Sequence, residues 1–220
     1  MGDILSNYDV LGAFWLTIRL AFFSAIGALI LGTIVAVMRL SPVAVLRLLG
    51  TWYVNIFRNT PLTLLMVLSV LGLSFIMGLS LSGDFQQNAI RWAIVMLSIY
   101  HAAFVCEALR SGVNTVPAGQ AEAARAVGLT FAQSMREFLL PQAFRGSIAP
   151  LGSVLIALIK NTTVAAVIGT ADAAGLMSEV IEKQTGTISV FLVFALGFVI
   201  LTLPLGLLFT SLSRRLAVKR

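Results

Sequence analysis

The chain has 220 residues, 59% hydrophobic and only 11% charged, with a mean hydropathy of +0.98 and a net charge of +6. A soluble domain of this size cannot hide so much apolar surface. Long uncharged runs suit instead a hydrocarbon slab about 30 Å thick, crossed by helices that satisfy their own backbone. Cys106 and His101 are the sole cysteine and histidine, which excludes an intrachain disulfide and a Cys/His zinc cluster.

The first ten residues carry Asp3 and Asp9 and no basic residue, unlike the positive start of a cleaved signal peptide. The apolar run at 11–38 therefore reads as a retained helix. Ser24, Ala28, Gly32 and Ala36 recur four apart on one of its faces, a seam that admits close helix approach. Packing within one bundle and a dimer interface both fit it. Arg19 lies near the start of this run, within snorkelling reach of the outer interface. Further runs at 61–80, 90–110, 148–170 and 188–212 are each long enough to cross once. The expectation is an all-α integral membrane protein of about five transmembrane helices, forming a single domain over 1–220. Pro204 would kink the last helix. His101 and Cys106 read as packed bundle residues.

The connections then fall at 39–60, 81–89, 111–147 and 171–187. Arg39, Arg47 and Arg58 lie in or beside the first; Arg110, Arg125, Arg136 and Arg145 lie in or beside the third; Arg214, Arg215, Lys219 and Arg220 form the tail. The opposite side holds only Arg91 and Lys183, while Arg19 and Lys160 fall inside spans. The positive-inside rule places the N-terminus outside and the C-terminus in the cytoplasm, and an odd number of spans requires the same. The basic excess is an orientation signal, and no nucleic acid partner is expected.

The cytoplasmic segment 111–147 is far longer than a helix–helix connection needs. Thr115 and Pro117 start a short helix, and Ala118 to Val127 is rich in good helix formers. Gly128 suits a left-handed stop, and Thr130 with Gln133 suits a capping box. Phe131, Met135, Phe138 and Leu139 share an apolar face in the second helix, which Pro141 would end. Such a pair either lies on the membrane surface or meets a protein partner, with Glu122 as a charge handle for an arginine there.

Inside the spans, charge marks function by default. Lys160 sits about 18 Å into the fourth run, near mid-depth, followed by Asn161, Thr162 and Thr163. It would meet a substrate carboxylate or form a structural pair with Glu107. Arg58, Asn59 and Thr60 precede Pro61, where they would cap the second span or line the cytoplasmic exit.

Glu122-Ala123-Ala124, Gly128, Phe138 and Leu140-Pro141 carry a specific spacing. It resembles the EAA signature of permeases in binding-protein-dependent ABC importers, with Phe138 in place of the usual isoleucine. Arg58-Asn59-Thr60-Pro61-Leu62, Glu107-Ala108-Leu109-Arg110-Ser111-Gly112 and Lys160-Asn161-Thr162-Thr163 resemble the polar-amino-acid subfamily. Within it the chain is most similar to actinobacterial glutamate-uptake permeases, down to its ending Leu216-Ala217-Val218-Lys219.

The resemblance implies a transporter without catalytic residues. Glu122, Ala123, Ala124, Gly128, Leu140 and Pro141 would couple to an ATPase. Lys160, Asn161, Thr162, Thr163, Glu107, Arg58 and Asn59 would line or gate the path. No G-x-x-x-x-G-K-[ST] loop is present, so ATP and Mg would bind to the partner ATPase and this chain would hold no cofactor and no metal. The implied partners are two ATPase subunits, a second permease copy or paralogue, an extracytoplasmic amino-acid-binding protein and the lipid bilayer. An ion-gradient-driven carrier and a non-transporting membrane scaffold are the competing classes; internal repeats would mark the former.

Overall fold

The computed structural model describes residues 7–183 and 187–216, and these residues form helices and turns without a strand. Asp3, Lys219, Arg220 and most of the ending quoted above lie outside the described residues. The first helix, α1, runs Val10–Leu40, with the Asp9 carboxylate accepting from the Gly12 N–H as its N-cap. An amphipathic helix, α2 (Ala44–Asn59), follows, then α3 (Leu62–Ile76), whose second half widens into a π-type turn. α4 spans Phe85–Val113 and is capped by Asp84.

Among the described residues, four helices are long and apolar enough to cross a membrane: α1, α4, Ile148–Ile168 and Ile188–Arg215. A fifth crossing arises if α2 and α3, bent by 100°, act as one broken span. The segment 39–60 is therefore not an open connection. It is mostly helix, because apolar residues recur along one α2 face and bury Gly50 and Val54. The bend falls at Pro61, which cannot donate to the preceding turn. The fourth span continues as a 3₁₀ turn, Thr162–Ile168, and stops at Gly169 with φ 84°. The segment 171–187 likewise contains a helix, Ala173–Lys183, before the last span, Thr187–Leu216, which carries Pro204 in its interior.

α1 and α4 form the tightest pair. Ser24, Ala28, Gly32 and Ala36 are all buried in it. A Cβ on Gly32 would meet the Val105 side chain at 2.6 Å and the Ala102 carbonyl at 2.8 Å. The small-residue seam thus serves packing within the chain, and it is unavailable to a second copy. Near the α1 N-terminus, Phe14 stacks on Phe194 at 5.9 Å, and the Ala173 N–H donates to the Thr17 hydroxyl. There Asp172, fully buried, accepts from Thr170 and from the N–H groups of Ala174 and Gly175. Burial pushes its carboxyl above the ordinary range, against the pull of those bonds.

Candidate functional site: an ion node and the segment anchored beside it

Glu107 projects from α4 one and a half turns before its end. It accepts from Arg39, at the end of α1, and lies 3.2 Å from Arg110 and 3.9 Å from Arg58. Arg39 is the least exposed of the three arginines, its side chain 13% exposed against 47% for Arg58 and 45% for Arg110. Arg58 also covers the Phe104 ring at 5.7 Å. One carboxylate thus ties together the ends of α1, α2 and α4. Glu107 pairs with arginines and not with Lys160, so the structural pair, one of the two readings of Lys160 from sequence, does not form.

Asn59 and Thr60 bond backwards, to the carbonyls of Asn55 and Ile56. α3 has no side-chain cap, so these residues finish α2 and do not cap the next helix.

Beyond α4, the chain forms Ala118–Ala126, labelled α5. Gly128 has φ 81° and the Leu129 N–H reaches the Ala124 carbonyl at 3.0 Å, a Schellman stop. A Cβ on Gly128 would meet nothing within 4 Å, so glycine is there for its backbone alone. The Thr130–Gln133 capping box is present in full. Glu122 and Ala123 face solvent, and Ala124 is buried.

Pro141 does not end the second helix of this segment. The chain stays helical through Phe131–Ser134, a wide turn at Met135–Leu139, and Leu140–Gly146. The wide turn bonds the Leu140 N–H to the Met135 carbonyl. Pro141 then falls in the first turn of the next stretch, where a missing donor and a fixed φ are tolerated. The break comes at Ser147, φ −98° and ψ 1°, before Ile148–Asn161.

Ser147 also anchors the segment. Its hydroxyl lies 2.9 Å from the Ala108 carbonyl and 2.6 Å from the Ala143 carbonyl. A Cβ on Gly112 would strike the Ser147 oxygen at 2.0 Å and the Ala143 carbonyl at 2.2 Å. The Glu-Ala-Leu-Arg-Ser-Gly run thereby has two structural jobs, the ion node at Glu107 and the close contact at Gly112. Gln142 donates to Gln120, joining the far stretch back to α5.

Comparison with known proteins bears on this arrangement. Residues 28–218 match the model of the binding-protein-dependent transport system inner membrane component family. The chain belongs to this family. It is 51% identical over 218 residues to the glutamate transport system permease protein GluC of Corynebacterium glutamicum, covering 96% of each chain. It is 36% identical to the probable glutamine ABC transporter permease protein GlnM of Bacillus subtilis, over 97% of this chain and 96% of the other. A crystal structure of an amino acid ABC transporter with histidines superposes with a TM-score of 0.79 at 26% identity, covering 94% of this chain and 93% of that one. The chain is thus a membrane permease whose EAA segment is the helix pair just described.

In this permease the Lys-Asn-Thr-Thr motif ends the α-helical part of the fourth span. Lys160 is exposed, Asn161 half-buried and Thr162 fully buried. The Thr162 and Thr163 hydroxyls donate to the carbonyls of Ile159 and Lys160, where the helix tightens to 3₁₀. Asn161 Nδ2 lies 3.2 Å from His101 Nε2, while His101 Nδ1 lies 3.0 Å from the Leu97 carbonyl. Nδ1 then carries the proton and Nε2 accepts. His101, Asn161, Tyr100, Phe104 and Ser153 line one recess between α4 and the fourth span. Sequence reading treats His101 as packing alone, because only the fold brings it to Asn161. Arg39 and Ser147 are missed for the same reason. Among the described residues no three His, Cys, Asp or Glu side chains gather to hold a metal.

Proposed function

We propose that the permease is the membrane-spanning subunit of an ATP-driven importer of glutamate or a close relative. Segment 111–147 faces the cytoplasm in this reading, and Ala118–Ala126 docks on a separate ATPase subunit. The observation that carries it is the build of the EAA segment. A short, mostly exposed helix presents Glu122 to solvent, while Gly112 and Ser147 close the far end of the segment onto α4. Movement imposed on the helix passes to the ends of α1, α2 and α4 through the Glu107 node. The basic residues Arg39, Arg58 and Arg110 gather at that same end, as a cytoplasmic boundary requires.

The cargo is drawn from the 51% identity to a glutamate transport permease. Two ATPase subunits, a second permease copy or paralogue and an extracytoplasmic amino-acid-binding protein complete the complex. In this reading Arg58, Asn59, Glu107, Lys160, Asn161, Thr162 and Thr163 would line or gate the path of the solute. Uptake of labelled glutamate by the reconstituted complex is the test. Transport should stop when ATP hydrolysis is blocked and should survive collapse of ion gradients. The opposite dependence would make the protein a secondary carrier, and no movement of any amino acid would make it a scaffold.

A further inference from the structure

A recess of about 620 Å3 opens where the EAA segment meets the turn between α1 and α2, within the size range of small-molecule sites. Leu40 and Pro42 line one wall; Leu129, Phe131 and Leu139 line the other. Three polar residues line this apolar space, Arg47, Ser134 and Ser41, whose hydroxyl accepts from the Val43 N–H. Arg47 is exposed at its rim and uses only Nη1, which donates to the Ser41 and Pro42 carbonyls at 2.9 and 2.7 Å. Its Nε and Nη2 make no hydrogen bond among the described residues. Ser134 is 6% exposed, and its hydroxyl has no partner among the described residues.

The surroundings select the occupant. Val43, Val45, Leu48, Leu49 and Trp52 are all exposed along the start of α2, and Arg47 is the one charge among them. Such a surface belongs in hydrocarbon at its edge, with a cation at headgroup depth. A small soluble anion would satisfy Arg47 and leave the apolar walls bare. We propose that the recess binds an anionic phospholipid of the inner leaflet, its phosphate on Arg47 and one acyl chain between Leu40, Leu129, Phe131 and Leu139. The lipid fills the joint between the EAA segment and the α1–α2 turn, so lipid composition sets how stiffly the two move together. This rests on the cytoplasmic placement of the segment, and not on the cargo.

The test uses the full chain with its partner subunits, delipidated in mild detergent and titrated with phosphatidylglycerol. Bound lipid is counted by native mass spectrometry, a readout independent of transport. Wild type should retain a phosphatidylglycerol that phosphatidylcholine and inorganic phosphate do not displace. Arg47→Gln should weaken that binding about fivefold, the effect of one basic residue near a membrane surface. Leu129→Trp, which fills the recess, should abolish it; if that variant fails to fold, Arg47→Gln decides alone. Equal retention by wild type and Arg47→Gln overturns the proposal. So does equal competition by phosphatidylcholine or inorganic phosphate, and so does failure of the assembled complex to take up the lipid, which would assign the recess to a partner subunit. Unchanged glutamate uptake alongside lost lipid binding would leave the transport reading intact.

Discussion

Gly32 and Gly128 are both glycines for opposite reasons. At Gly32 the backbone is ordinary helix and the space is full: Val105 stands 2.6 Å from where a Cβ would sit. At Gly128 the space is empty and the backbone is left-handed, φ 81°. The first belongs to a seam that closes two spans into one rigid pair. The second belongs to a stop that ends a short, mostly exposed helix. The proposed coupling to an ATPase would need both, a stiff body and a handle. Gly112 joins the two regions, with the contact density of the seam and a place at the root of the handle.

The seam should be the least tolerant. Gly32→Leu forces a side chain into Val105 and the Ala102 carbonyl, and the backbone cannot yield without parting α1 from α4. Overpacking of this kind costs about 1–3 kcal/mol, and more against backbone. A thermal melt of the purified protein should show a large loss of stability or no folded protein. A wild-type melting temperature would mean that the helices are not this close.

The ion node comes next. Glu107→Gln leaves the guanidinium groups of Arg39, Arg58 and Arg110 facing one another without a carboxylate. Loss of hydrogen bonds to a charged partner costs about 1.5–3 kcal/mol. A double-mutant cycle with Arg39→Met separates the buried pair from its exposed neighbours. Additive effects would show that Arg39 and Glu107 do not act as a pair.

At the handle the cost is purely conformational. Gly128→Val should destabilise by about 1–2 kcal/mol, the penalty of a left-handed L-residue, and should reduce ATP-driven uptake. Gly128→Asn should recover most of both, because asparagine tolerates that conformation. Uptake at the wild-type rate in the valine variant would remove the turn from the mechanism.

These cases also show what a sequence can disclose. Gly128 was legible because a local rule governs it: a helix-forming run, a glycine, then the capping box Thr130–Gln133. The four-residue seam was legible as a seam, but its partner was not, since packing within the chain and dimerisation write the same pattern. The spans at 11–38 and 188–212 were clear from hydropathy. α2 was not, because its apolar face is interrupted by Arg47 and Arg58, and those charges read as a loop. The Pro141 stop failed because the wide turn at 135–139 absorbs the proline. Glu107 was marked by its depth in a span, but its partners come from α1 and α2. Their approach depends on how the turn after α1 folds α2 back beside α4, which no local pattern announces.

The smallest effect on stability and the sharpest on function should meet at Glu122. Its side chain is exposed and makes no hydrogen bond within the described residues. Glu122→Gln keeps the shape and removes one charge, so folding stability should change by no more than about 0.5 kcal/mol. Uptake should nevertheless fall, with binding of the ATPase subunit weakened and more salt-dependent than the remainder of the interface. Gly32→Leu would then lose transport because the body has come apart, and Glu122→Gln because the body is intact and nothing grips it. Normal uptake in Glu122→Gln would break that contrast, since the handle would then be held through the exposed apolar residue Val127, 75% exposed just beyond the helix, and not through its charge.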